Sequence, residues 1–143
     1  MSRRLTGIFI VALAALTVPV SFAVAGGGGG GAKAVGVERH VDPTKCGVSQ
    51  GVQEIGNATV SLDHGTLHVN YKLSVGEPGN GYQLYVYDGN CNYVGSLGKF
   101  KVDRSGHGSN EGRLNVAGRG RSFYVCDYNS ATTYYDCSDM ARL

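Results

Sequence analysis

Tryptophan is absent from the 143 residues, methionine occurs twice and proline three times. Sugar-binding modules commonly present tryptophan platforms, so its absence weighs against carbohydrate recognition. An excess of either charge is missing as well. With residues 1–25 set aside, 11 basic side chains stand against 11 acidic ones. Nucleic acids and anionic membranes attract sustained basic surfaces, and no such partner is expected here. Long apolar runs stop after residue 25, so stable membrane insertion is not expected of residues 26–143. Helical periodicity beyond that point is lacking too, and no internal repeat is evident. Hydrophobic residues nevertheless make up 42 % of the chain, which excludes a disordered polyelectrolyte.

The first 25 residues read as a secretory signal peptide. Arg3 and Arg4 form the basic start, residues 5–24 are almost entirely apolar, and Ala23-Val24-Ala25 is a small-residue cleavage site before Gly26. The protein is therefore expected to be secreted. Six consecutive glycines, 26–31, cannot bury side chains and predict a flexible leash. The expected organisation is a signal peptide at 1–25, a flexible glycine-rich segment at 26–45 and one folded domain at 46–143.

Four cysteines, Cys46, Cys91, Cys126 and Cys137, are too widely spaced for a C-x-x-C metal site. In an oxidising compartment an even number of them predicts two disulfides. Of the three possible connectivities, Cys126–Cys137 with Cys46–Cys91 is preferred. The first would clip a terminal hairpin, and the second would tie the irregular N-terminal region to a loop after a strand.

From residue 58 onward the chain reads as strands. Leu67, Val69, Tyr71, Leu73 and Val75 alternate with polar residues at strict period two. Further strands are expected at 58–62, 82–87, 93–102 with a bulge, 113–116, 122–128 and 132–137. Gly, Asn and Asp clusters punctuate them. Seven or eight short antiparallel strands predict an all-β sandwich, immunoglobulin-like in outline, with a small closed barrel as the alternative.

Motifs for chemistry are weak. Gly47-Val48-Ser49-Gln50-Gly51 matches G-x-S-x-G, but no helix follows and the chain is too short for the fold that uses it. His64 and His68 would stand about 13 Å apart on one straight strand, too far to share a metal ion. His40 and His107 stand alone. Residues 103–108 resemble a calcium loop but lack its ligand density. No pair of carboxylates is singled out by spacing. No cofactor, metal site or catalytic residue is assigned. Six basic residues between 99 and 121 face only Asp103 and Glu111, and read as a solvated face that deters edge pairing.

Tyrosine is the unusual component, with nine residues, all beyond the signal. If Leu84 and Val86 face the core, Tyr82 does too, while Tyr85 and Tyr87 face outward with Gln83. Outward tyrosines suit a binding face, because a rigid ring buries area and keeps a polar tip. Val35 and Val37 share one parity in a segment that either adds a strand to a partner's sheet or pairs within its own domain. The expected function is non-catalytic recognition of an extracellular protein, as an adaptor or assembly subunit. An inhibitor of a secreted hydrolase, using a rigid loop at 76–81, is the second reading, and a small metal-dependent enzyme the third.

Overall fold

The computed structural model describes residues 31–39, 42–45 and 53–143. The signal peptide, most of the glycine run, His40, Cys46 and the G-x-S-x-G match lie outside the described residues. Nine strands follow in order: β1 (Lys33–Glu38), β2 (Glu54–Asp63), β3 (Thr66–Leu73), β4 (Gly81–Asp88), β5 (Tyr93–Lys101), β6 (Gly108–Asn115), β7 (Ser122–Asn129), β8 (Tyr134–Ser138) and β9 (Ala141–Arg142). Among the described residues the only helical element is a 3-10 turn at Pro43–Lys45.

All strand pairs are antiparallel, and eight of the strands form one continuous sheet in the order β5-β4-β7-β8-β1-β2-β3-β6, with β9 added to β7. The all-β antiparallel expectation is met, and the strands join in one sheet closer to the closed-barrel alternative than to two separate layers. β1 pairs with β2 along its length and with β8 through Val37 and Glu38, and this seam joins what would otherwise be two sheets. At the other end β5 lies against β6 without a backbone ladder. Side chains close that gap. Leu97 lies over Gly112 and Leu114 over Gly95, where a Cβ on either glycine would come within 2.9 Å of the leucine. Asn110 also donates to the Leu97 carbonyl at 3.4 Å. The result is a nearly closed barrel.

The segment expected to be flexible at 26–45 holds the first strand of this barrel. Val37 is fully buried and Val35 packs on the core, so both valines serve their own domain. The weak alternation of 35–41 was too short to say which sheet the segment would join, and the register with residues 54–60 decides it.

Alternation places the core as expected. Leu67, Val69, Tyr71 and Leu73 of β3 point inward, as do Tyr82, Leu84 and Val86 of β4. They meet Val60, Phe100, Phe123 and Val125 from the other strands. Each such side chain contributes about 1.5–3 kcal/mol when fully buried. The alternation does not carry through Val75, which is 44 % exposed. β3 ends at Leu73 because the Ser74 and Val75 N–H groups both turn to the Ile55 carbonyl, at 2.7 and 3.2 Å. The bulge expected in β5 is present as two register shifts against β4, with Gly98 at φ +97°.

Candidate functional site

The two walls of the barrel differ outside. On the β2-β3-β6 wall the outward row residues are polar, with Thr59, Asn70 and Glu111 in one row and Ser61, His68 and Arg113 in the next. On the β5-β4-β7-β8 wall tyrosines predominate, with Ser96 and Lys99 of β5 aligned beside Tyr85 and Gln83. Register aligns Tyr93, Tyr87 and Tyr124 across three strands. The next row carries Tyr85 beside Cys126 and Cys137, and the next Gln83, Tyr128 and Tyr135. The expected outward direction of Tyr85 and Tyr87 is thus present, and both are half-buried by their neighbours.

The rings touch in a network. Tyr85 lies 6.0 Å from Tyr93 and 6.4 Å from Tyr135 between centroids, Tyr87 lies 6.0 Å from Tyr93, and Tyr128 lies 4.8 Å from Tyr135. At such spacings tilted and edge-on rings attract beyond their area burial. Beneath them sits the Cys126–Cys137 disulfide, with Cα atoms 4.0 Å apart, clipping the β7–β8 hairpin as expected. Tyr124 and both cysteines are buried although they face outward, because Tyr87, Tyr135 and Met140 cover them. This is a second, smaller apolar cluster on the outside of the barrel. Tyr93 and Tyr134 remain more than half exposed at its margin.

Burial, then the charge and hydrogen bonding of Tyr135 and the nearby Tyr85 and Tyr93, push the Tyr87 hydroxyl up to about 12. Burial also raises Tyr85 and Tyr124.

Beside this face lies a groove of about 320 Å³ lined by Asp42, Pro43, Thr44, Tyr87, Thr133, Tyr134 and Tyr135. The Asp42 carboxylate accepts from the Thr44 N–H at 2.9 Å and the Thr44 hydroxyl at 2.7 Å, which fixes it at the rim. Sequence reasoning picked Tyr85 and Tyr87 but not Tyr93, Tyr128 and Tyr135. Only the strand register shows that these share one surface. Asp42 and Thr44 carried no strand or motif signal.

The histidines are not assembled. His64 occupies the β2–β3 turn at φ +46°, with Nδ1 2.5 Å from the Asp63 carboxylate, and His68 lies on the polar wall. Among the described residues no group of three or more His, Cys, Asp or Glu side chains is placed to hold a metal ion. Asp103 turns its carboxylate onto the N–H groups of Ser105 and His107, at 2.8 and 3.0 Å. Those N–H groups hold its carboxyl below the ordinary range. This explains the calcium-loop resemblance as an Asp-closed turn.

The β4–β5 connection is likewise organised by an aspartate. Asp88 accepts from the Asn90 and Asn92 N–H groups at 2.9 and 3.0 Å and from the Asn92 amide. Burial works against its ionisation, but these donors and Arg119 outweigh it and lower the carboxyl. Cys91 sits in this turn at φ +64° and is disulfide-bonded. The loop at 74–80 is tied down by Gly76 N–H to the Gly106 carbonyl at 2.7 Å and Glu77 N–H to the Tyr82 hydroxyl at 2.9 Å.

One buried carboxylate stands apart from these surfaces. Asp127 of β7 points into the barrel with no exposure and accepts from the Tyr71 hydroxyl at 2.6 Å through Oδ2. Among the described residues its Oδ1 has no hydrogen-bond partner. Asp136 lies directly opposite on β8. Burial, only partly offset by Tyr71 and reinforced by the Asp136 charge, raises the Asp127 carboxyl to about 7.

No protein-family model matches the chain, and no curated protein matches it. Among solved structures it is similar to the Cu/Zn superoxide dismutase from Brucella abortus, with 12 % sequence identity and a TM-score of 0.47, over 76 % of this chain and 99 % of that one.

Proposed function

We propose that the chain is a secreted, non-catalytic binding module that recognises an extracellular protein through the tyrosine-covered outer wall of β5, β4, β7 and β8. The observation that carries this reading is the asymmetry of the barrel. Tyr85, Tyr87, Tyr93, Tyr128 and Tyr135 share one wall, while the opposite wall is polar. Tyrosine rings are rigid, bury much area and lose little entropy on contact, which suits them to the centre of a protein interface. The disulfide beneath the rings restricts the wall and keeps the rings preorganised.

The Tyr85→Ala/Tyr93→Ala double variant tests this. Protein captured from the native secretome by the wild-type chain should be lost by at least about tenfold on the variant, since central aromatic residues carry about 1–2 kcal/mol or more each. Equal capture by the folded variant would overturn the reading.

The same proposal includes a second bridge, Cys46–Cys91, which would fasten the chain after the 3-10 turn to the β4–β5 connection. Non-reducing peptide mapping of the secreted protein should yield two linked peptide pairs and no reactive thiol. Alkylation of Cys46 without prior reduction counts against both the bridge and an oxidising compartment.

A further inference from the structure

We infer that the polar wall of the barrel, outside β2, β3 and β6, binds an acidic sugar residue, with its carboxylate on Arg113 and its hydroxyls on the neighbouring row. The site is separate from the tyrosine wall, and either assignment can fail without the other. Three observations converge on it. A hollow of about 430 Å³ lies over the two rows Thr59-Asn70-Glu111 and Ser61-His68-Arg113, and each of these six outward side chains can hydrogen-bond. Arg113 is exposed, and among the described residues it has no ion pair and no hydrogen-bonded side chain. Glu111 accepts from the Asn70 amide through Oε1, and its Oε2 is bonded to no described residue.

An unpaired guanidinium calls for an anion, and its N–H fork fits a carboxylate in two parallel hydrogen bonds. His68 stands directly across from Arg113, and Ser61 directly across from His68, so an imidazole and a hydroxyl can hold the same group. The adjacent row is chemically different. Glu111 Oε2 and the Asn70 carbonyl accept, and the Thr59 hydroxyl donates or accepts. That row suits a ligand whose other groups are hydroxyls. Glu111 also stands two residues from Arg113 on the same face, where it opposes a second negative charge and favours a singly charged ligand. At strand spacing the two rows cover about 7 Å by about 10 Å, the footprint of one sugar ring. An acidic peptide fits less well, because these rows offer no aromatic or aliphatic anchor of the kind that centres a protein interface. The lack of tryptophan counts against neutral sugars, whose apolar faces use stacking platforms. It does not bear on a sugar held by charge and hydrogen bonds.

The experiment is an NMR titration of the secreted, oxidised protein with labelled backbone amides. The probes are methyl glucuronide, the neutral methyl glucoside, and acetate. The expected result is a saturable shift with methyl glucuronide that centres on Ser61, His68 and Arg113. Methyl glucoside should bind at least about tenfold more weakly, because it lacks the charge-assisted bonds to Arg113. Acetate should also bind at least about tenfold more weakly, because it has no hydroxyls for Glu111, Asn70 and Thr59. Arg113 is exposed, so Arg113→Gln should fold as wild type does, and it should lower the glucuronide affinity to that of the glucoside. Equal binding of glucuronide and glucoside, or no effect of Arg113→Gln, overturns the carboxylate contact and the proposal with it. Acetate binding as tightly as glucuronide overturns the sugar assignment. The absence of a saturable shift with any probe, or a shift centred on the tyrosines of the other wall, overturns the site itself.

Discussion

Replacing Asp127 by asparagine should remove most of the protein's loss of stability between about pH 4 and pH 7. The variant should then be more stable than wild type at pH 8, by up to about 4 kcal/mol. The reason is a carboxylate that must give up water inside the barrel. The folded chain holds the Asp127 proton up to about 7, whereas an unfolded aspartate releases it near 3.8. Between those values the folded state binds more protons than the unfolded one, so stability falls as pH rises. Above the folded value the whole cost is present, and each pH unit of separation weighs about 1.4 kcal/mol. Asp88 and Asp103 work in the opposite sense but in another window. Their carboxyls are held below 3.8, and what they contribute is lost only as pH falls through that acid range. Asparagine keeps an oxygen for the Tyr71 hydroxyl and removes the charge that Asp136 opposes. Tyr71→Phe removes the donor instead and should move the inflection of the stability curve above that of wild type. Urea denaturation at a series of pH values measures both. A slope that Asp127→Asn leaves unaltered would show that another group controls it.

Asp127 also marks how far sequence reasoning reaches. It stands at an inward position of β7, in phase with Phe123 and Val125, but Tyr124 and Cys126 are apolar as well, so the sequence did not show which face of β7 is inward and Asp127 was not singled out. Its partner Tyr71 is 56 residues away, and nothing local announces their contact. Strands rich in apolar residues were legible. β3 and β4 alternate so strictly that Tyr82 could be assigned inward and Tyr85 outward from the pattern alone. β6 was legible only at its end, from Arg113, because its inward positions Gly108, Asn110 and Gly112 carry no apolar signal. The structure gives the reason. Phe100 and Leu97 fill the space that side chains at Gly108 and Gly112 would need, with contacts of 2.9 Å to each prospective Cβ. Small residues on one strand are the complement of large ones on another, a relation that exists only after the barrel closes. The tyrosine wall was half legible for the same reason. Parity within β4 revealed Tyr85 and Tyr87, but their gathering with Tyr93, Tyr128 and Tyr135 depends on strand order. The same order joins two expected layers into one sheet.

The start of β2 carries that dependence furthest, and it leads to the largest loss of stability expected of a small substitution. Gly56→Ala should lower stability by about 3 kcal/mol or more, since inserted core atoms cost about 1–3 kcal/mol even where neighbours can adjust. Here they cannot adjust cheaply. A Cβ on Gly56 would lie 2.2 Å from the Lys72 carbonyl oxygen and 3.1 Å from the Leu73 Cα, and both are backbone atoms. Gly56 is sandwiched between Val37 of β1 and Leu73 of β3. The β3 chain crosses close at this point because Ser74 and Val75 both bond to Ile55. Relief would require the β2–β3 ladder to shift along the whole register from Gly56–Leu73 to Asp63–Thr66. A one-residue slip would instead turn Ala58 and Val60 outward. Gly81→Ala is the control. Gly81 opens β4 with no atom within 4 Å of its prospective Cβ, so alanine there should change stability by less than about 0.5 kcal/mol. In thermal unfolding, a loss of about 3 kcal/mol from a domain of this size lowers the midpoint by more than about 10 °C. A Gly56→Ala protein that melts with wild type would mean that β3 does not press against β2 there, and the seam that holds β1 in the barrel would need another explanation.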